Sequence, residues 1–327
     1  MKIGLITPAA PRSRAGNRAT ATRWARLLRE AGHRVSVREV WRPGDSRFDV
    51  MLALHAWRSA ESIAAYAARW PGRPLIVVLT GTDIYRFQHS DPGVTLESLE
   101  NAHGLIGLHD HVDRDIPARF HDRLAIVCQS ATPLPASYRR PSAGAFDVCV
   151  VGHLREEKDS LRAARAARGL PPESRIRIRQ AGRAHSSDWA AAAEAEMRIN
   201  PRFVWHGEVG QGGVRRLYAR SRAMVISSVM EGGANVVSEA CVAGLPVLAS
   251  RIPGNTGLLG DDYPGFYPPR DTLALRVLMQ RAEREPDYLQ QLMAHCRAMA
   301  ARFTPRAESL ALRRAIDQAM RQRHGLS

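Results

Sequence analysis

The 327-residue chain has four cysteines, few aromatic residues, almost no lysine and no long apolar run. Cys128, Cys149, Cys241 and Cys296 are spaced in no zinc or redox pattern. Three of them follow or sit in apolar stretches, where a free cysteine behaves as a small hydrophobe. No stretch approaches the roughly 20 apolar residues that span a bilayer, so no membrane partner is expected. The opening MKIGLITPAAPRS carries one lysine and then a short strand-like run. That run is too short for a signal-peptide core, and a cytoplasmic location is expected. In such a reducing compartment a structural disulfide is not expected. Aromatics make up 6% of the residues, and no basic–aromatic ribbon, helix-turn-helix or zinc finger accompanies them. Nucleic acid is therefore not an expected partner.

What the chain does have is positive charge, +15 overall, almost all of it arginine; lysine stands only at Lys2 and Lys158. Such a balance can mark an anionic partner such as a nucleotide or phosphate. It can also be a bias toward arginine and alanine on solvated helix faces, and RAARAARG and RRAIDQAMRQR read that way. The second reading takes most of the charge.

Length suggests two domains, at about 150 residues each. Short apolar runs rich in β-branched residues recur at 2–7, 34–40, 49–54, 75–80, 104–109 and 124–129. Between them, ATATRWARLLREAG and SAESIAAYAARWPG read as helices ending at Gly or Pro-Gly. Uninterrupted apolar strands alternating with helices imply a parallel sheet covered on both faces. The segment QSATPLPASYRRPSAGA (129–145), with three prolines, breaks the rhythm and reads as a linker. The pattern then restarts with strands at 146–152, 175–182, 203–207, 223–228 and 245–250. The expected architecture is α/β, with two Rossmann-like doubly wound domains facing a cleft. Their boundaries are expected at 1–135 and 136–305, followed by a C-terminal helix over 306–327 that could pack back on the first domain.

Ligands of such sheets sit outside the carboxyl ends of the strands, which directs attention to the loops there. After the strand AMVISS, the turn MEGGA leads into the helix VVSEACVAG. Gly232 and Gly233 permit a tight turn and close approach to a ligand. Asn235 is a good N-cap, and the N–H groups around Ala234, Asn235, Val236 and Val237, with the helix dipole, suit a diphosphate. Glu231 and Glu239, eight residues apart, carry acceptor oxygens suited to hydroxyl pairs. Diols at both ends with phosphates between describe a nucleotide sugar. A capped surface helix with glutamates on its wet face has the same spacing.

Glu-x7-Glu followed by EACVAGLPVLASRIPGN resembles the nucleotide-sugar signature of the GT-B glycosyltransferases of family four. VVGHLREEKD (150–159) resembles that group's loop bearing a basic pair for the diphosphate. It includes Gly152, Lys158 at the motif lysine, and His153 where arginine is usual, with Arg155 nearby as a possible substitute. FVWHGEVGQGGVRRLYARSRAMVISS resembles the segment that holds the base edge after a glycine, here Gly207 and Val209. In that group the C-terminal domain binds the donor and the N-terminal domain the acceptor. In the first half, PAAPRSRAGNRATATRWARLLREAGHRV, LHAWRSAESI and VLTGTDIYR together resemble the selenosugar synthases of selenoneine biosynthesis. That resemblance implies a UDP-sugar donor and a selenophosphate acceptor joined through a carbon–selenium bond.

The first-half loops suit an anionic acceptor. TPAAPRSRAGNRAT places Arg12, Arg14 and Arg18 around Gly16, with Asn17 as the expected helix cap. His55 and Arg58 follow the third strand; His55 could be a base, an anion donor or a structural residue. Thr80, Gly81 and Thr82 suit phosphate oxygens, and Asp83 suits a sugar hydroxyl or an arginine. All of these also fit an ordinary loop, turn or cap. His109, Asp110 and His111 lack an evident third metal ligand, and no metal is expected. The expected mechanism stabilises charge on departing UDP with Lys158, the helix start near Asn235 and Arg155. Glu231 and His55 are the other candidates for catalysis, and no cofactor is called for. Selenophosphate arrives with an anionic selenium and needs no base, unlike a hydroxyl. A conventional glycosyltransferase with a hydroxyl acceptor, or a nucleotide-sugar binder without turnover, remains compatible with the same residues.

Overall fold

Val50–Leu54, VMLAL, is buried at every position, and the reason lies in what covers it. In the computed structural model, which describes residues 1–11, 13, 15–138, 141 and 144–322, this strand lies inside a parallel sheet. Val50, Leu52 and Leu54 join one apolar cluster and Met51 and Ala53 another. The two-residue period of a strand thus feeds two cores, one on each face.

The chain divides into two compact units. The first comprises Met1–Ser130, Glu231–Gly233 and the C-terminal segment from Pro305. Its elements are β1 (Lys2–Ile6), α1 (Gly16–Glu30), β2 (Arg34–Arg38), β3 (Val50–Leu54), α2 (Ala60–Arg69), β4 (Leu75–Val78), α3 (Gln88–Ser90), α4 (Pro92–Glu100), β5 (Gly104–Gly107) and β6 (Leu124–Ile126). The six strands pair in parallel in the order β2-β1-β3-β4-β5-β6. The order reverses between β1 and β3, which makes the first unit's topological switch point.

The second unit comprises Ala131–Met230 and Ala234–Thr304. It runs β7 (Phe146–Val151), α5 (Arg162–Arg168), β8 (Ile176–Ala181), α6 (Ser187–Ile199), β9 (Phe203–Trp205), α7 (Gln211–Arg220), β10 (Ala223–Ile226), α8 (Asn235–Val242), β11 (Val247–Ser250), α9 (Pro253–Leu259), β12 (Phe266–Tyr267), α10 (Thr272–Arg284) and α11 (Pro286–Ala300). Its sheet is also six-stranded and parallel, in the order β12-β11-β10-β7-β8-β9, with the switch point between β7 and β10. The last helix, α12 (Pro305–Gln322), belongs to the first unit. Leu312, Ala315, Ile316 and Ala319, one face at helical spacing, join the core that also holds Trp24 and Leu28 of α1. Buried Glu308 fixes this arrangement. Its carboxylate accepts from Arg23 Nε at 2.9 and 3.0 Å, Trp24 Nε1 at 2.7 Å, Ser130 N at 3.0 Å, and Ser130 Oγ.

Several local expectations are corrected. α1 begins at Gly16 with Ala15 as the capping residue and no side-chain cap, so Asn17 lies inside the first turn. Most of the expected strands end one to three residues early, because their last residues leave the ladder to form the loops described next, whereas β3 and β11 end where expected, at Leu54 and Ser250. β12, two residues long, was not legible as a strand. The four cysteines are free thiols, all buried. Among the described residues, no helix is long and apolar enough to cross a membrane.

Candidate functional site

In the second unit, four loops gather at the carboxyl ends of β7, β8, β9 and β10. Gly152 N donates to Ala181 O at 2.9 Å, and Gly182 N to Gly207 O at 2.8 Å. Trp205 Nε1 closes on Gly182 O at 2.8 Å. A Cβ on Gly182 would lie 1.8 Å from Gly152 O, so only glycine fits there. Leu154 N donates to Arg183 O and His185 N to Leu154 O, both at 2.9 Å. His153 Nδ1 accepts from Arg183 N at 3.2 Å, so that nitrogen serves the backbone. On the other side, Val229 N donates to Glu157 O at 2.9 Å. The loop Gly152–Lys158 is therefore tied to both neighbouring loops and spans the switch point, where doubly wound sheets bind ligands.

Within that loop, Glu156–Lys158 form a short 3-10 turn, and Asp159 after it adopts a left-handed φ of 43°. Asp159 accepts from Arg162 Nε at 2.7 Å, which anchors the end of the turn. Arg155 Nε lies 3.8 Å from a Glu157 carboxylate oxygen, so its charge is partly balanced within its own loop. Lys158 is half-buried beside them.

Helix α8 begins one residue earlier than its sequence suggests. Asn235 is its first helical residue and Ala234, extended at φ −77° and ψ 98°, takes the cap position. The Asn235 side chain caps nothing; its Oδ1 is buried with no partner among the described residues. Val237 N is not available to a ligand, because it donates to Ala234 O at 2.9 Å. Glu239 stands in the second turn and accepts a 2.7 Å hydrogen bond from the Tyr218 hydroxyl of α7. Burial, with the Glu239 charge nearby, pushes that phenol well above its ordinary pKa, so it remains a donor. Sequence reading passed over Tyr218, since nothing local pairs it with a residue 21 positions away.

Glu231–Gly233 group with the first unit. A Cβ on Gly232 would lie 2.2 Å from Gly81 N and Thr80 C, and one on Gly233 would lie 2.4 Å from Leu108 Cβ. The missing side chain of Gly232 leaves room for the backbone of Thr80 and Gly81, and that of Gly233 for the Leu108 side chain. Glu231 is buried beside them.

The loops after β3 and β4 are tightly self-satisfied. Asp83 is fully buried and accepts from Ala56 N at 3.0 Å, Thr80 N at 3.0 Å, Gly81 N at 2.7 Å and Ile84 N at 3.3 Å. It holds two loops together and is not presented to a sugar hydroxyl or an arginine. His55 has φ 76°, unusual for a non-glycine residue. Its Nδ1 accepts from Arg58 N at 3.1 Å, which places the proton on Nε2, within 2.9 Å of Thr82 Oγ1. Burial lowers its pKa. Thr80 Oγ1 is buried with no partner among the described residues. Gly16 opens α1 in open space, with no heavy atom within 4 Å of where a Cβ would stand; Arg18 lies in the same turn and Arg58 is exposed. Arg12 and Arg14 lie outside the described residues.

His109 is committed as well. Its Nδ1 accepts from His111 N at 3.2 Å, and Nε2 donates to Tyr85 Oη at 3.0 Å, which donates onward to Asp115 at 2.8 Å. Burial lowers the imidazole pKa to about 4. Among the described residues, no three His, Cys, Asp or Glu side chains gather to hold a metal.

Residues 140–296 match the family model "Glycosyl transferases group 1". None of the curated proteins compared matches the chain. Solved structures match over nearly the whole chain. Anabaena HepE, in complex with UDP and glucose, is 15% identical with a TM-score of 0.77, covering 97% of this chain and 99% of that one. The sucrose-phosphate synthase of Thermosynechococcus elongatus is 17% identical with a TM-score of 0.79, covering 97% and 98%. A glycosyltransferase of Rickettsia africae is 13% identical with a TM-score of 0.73, covering 98% of each. HepE has also been solved with UDP-glucose. Residues 140–296 thus match the Glycosyl transferases group 1 model, on a chain whose fold is the GT-B fold shared with these solved structures.

Proposed function

We propose that this protein transfers a glycosyl group from a UDP-sugar, such as UDP-N-acetylglucosamine or UDP-glucose, to selenophosphate, releasing UDP. The donor half of the reading rests on the family match over 140–296 and on a shared fold with HepE, which binds UDP and UDP-glucose. The observation that carries it is the tie between Val229 and Glu157. It sets the Lys158 loop beside the loop that follows β10, at the second unit's switch point.

A UDP placed there would lay its diphosphate against Lys158 and the first turn of α8, where the helix dipole favours negative charge. Charge on the β-phosphate grows as the C1–O bond breaks. Cationic and N–H groups aimed at it lower the barrier rather than merely tightening substrate binding. Glu239 would take the ribose hydroxyls through its acceptor oxygens.

The acceptor half rests on LHAWRSA and LTGTDIYR and on the state of the groups they contain. His55 and Asp83, the obvious bases of those loops, are engaged with Thr82 and with backbone N–H groups. A hydroxyl acceptor needs a base at its proton. Selenophosphate carries its nucleophilic electron pair on an already anionic selenium. A new bond from selenium to C1 forms, the C1–O bond to UDP breaks, and that bonding pair leaves on UDP.

The test is incubation with several UDP-sugars and either selenophosphate or sugar hydroxyl acceptors, followed by mass spectrometry. The expected result is UDP release with a sugar product bearing the selenium isotope pattern. UDP release with hydroxyl acceptors alone would remove the selenophosphate assignment, and no release with any acceptor would remove the transferase reading.

A further inference from the structure

Glu239 can grip a diol only if its carboxylate is held in one orientation. A glutamate in the second turn of a short helix has three rotatable side-chain bonds, and ordering such a side chain costs free energy at the moment of binding. In this structure the Glu239 carboxylate already accepts from the Tyr218 hydroxyl.

Three observations carry this. Tyr218 sits in the last turn of α7 and is 3% exposed, so its ring is fixed by packing. Its hydroxyl donates to Glu239 Oε2 at 2.7 Å, a charge-assisted bond of good length. The phenol stays protonated because burial raises its pKa, so the donor is always present. A buried tyrosine with a partnered hydroxyl is common. Here the partner is a half-buried carboxylate on the helix that begins at the switch point.

We propose that Tyr218 is a positioning residue: its hydroxyl holds the Glu239 carboxylate in the orientation that accepts from the ribose hydroxyls of the bound nucleotide. This rests on the donor-site reading above. Tyr218 itself touches no substrate; it acts through Glu239. Loss of the hydroxyl should therefore cost ribose recognition specifically, and leave contacts to the base and diphosphate in place.

The experiment measures the dissociation constants of UDP and 2′-deoxy-UDP for the wild-type full chain, Tyr218→Phe and Glu239→Gln, with thermal unfolding of each. Wild type should prefer UDP by roughly tenfold or more, the size of a hydrogen bond to a charged group. In Tyr218→Phe the preference should fall to within about threefold of unity, as it should in Glu239→Gln, while the affinity for 2′-deoxy-UDP, which keeps the 3′-hydroxyl, falls by less than that for UDP. A Tyr218→Phe protein that keeps the full wild-type preference overturns the proposal. So does one that loses affinity for both ligands equally, which is what a purely structural tie between α7 and α8 would give. If the phenylalanine variant does not fold, Tyr218→Met removes the same hydroxyl and carries the same expectation. A wild type that does not bind UDP at all overturns the donor-site reading itself, a result distinct from retained discrimination in the variant.

Discussion

The carbonyl oxygen of Gly152 occupies the space where a side chain on Gly182 would begin, 1.8 Å from the ideal Cβ position. Two loops that follow neighbouring strands thereby meet backbone to backbone, and His153, Arg155 and Lys158 hang from that contact. Gly182→Ala must push the first loop away or distort its own, at φ 152°. The expected cost is about 1–3 kcal/mol of stability, with weaker UDP binding. Urea denaturation and calorimetric titration with UDP would register both; an alanine variant with wild-type stability and UDP affinity would contradict it.

Lys158 is one of only two lysines among 47 basic residues. Lys158→Ala should lower kcat by about two orders of magnitude, the usual loss when one donor to a developing oxyanion is removed. Lys158→Arg should recover part of it, since the charge remains but its geometry changes. Glu239→Ala should instead act mainly on KM for the UDP-sugar, by tenfold or more for a lost charge-assisted contact, as a rough figure. Steady-state kinetics at saturating acceptor separate the two effects.

Asp83→Asn should fail as a structural change and not as a catalytic one. The carboxylate accepts from four backbone N–H groups, and an amide turns one acceptor into a donor facing donors. About 1–3 kcal/mol of destabilisation follows from a buried group left unsatisfied. Chemical denaturation of the variant checks this, and unchanged stability would show that the four bonds are dispensable.

Stability should fall between pH 6.5 and about 4 through His109. Its folded pKa is lowered to about 4 from 6.5. Above pH 6.5 both states are neutral and the group contributes nothing to the pH dependence. Below it the unfolded chain takes up a proton that the folded protein refuses, so stability declines by up to about 3 kcal/mol by pH 4. His55, lowered in the same direction, adds to the decline. Asp115, whose carboxyl burial raises, opposes it at the acidic end. His109→Gln should flatten the curve, as read from denaturation midpoints across that pH range.

The features that could be read from sequence are those written locally. β3 and β4 announce themselves because both faces of the sheet are covered, so every residue is apolar. Glu-x7-Glu and its glycine turn lie within one loop and one helix. The features that could not be read depend on distant partners. Gly232 and Gly233 look like a turn made for a ligand, but the atoms crowding them belong to Thr80, Gly81 and Leu108. Asn235 has the chemistry of a cap, yet the extended residue before the helix is Ala234. Glu308 draws its partners from Arg23, Trp24 and Ser130, up to 285 positions away. Its value as a clamp on α12 is invisible until the helix is placed.

The most direct measurement is a crystal structure of the protein soaked in UDP. Density for the diphosphate beside Lys158 and the first turn of α8, with the ribose hydroxyls on Glu239, is the expected result. UDP bound elsewhere, or density at that position that leaves Lys158 and Glu239 untouched, would contradict the donor site.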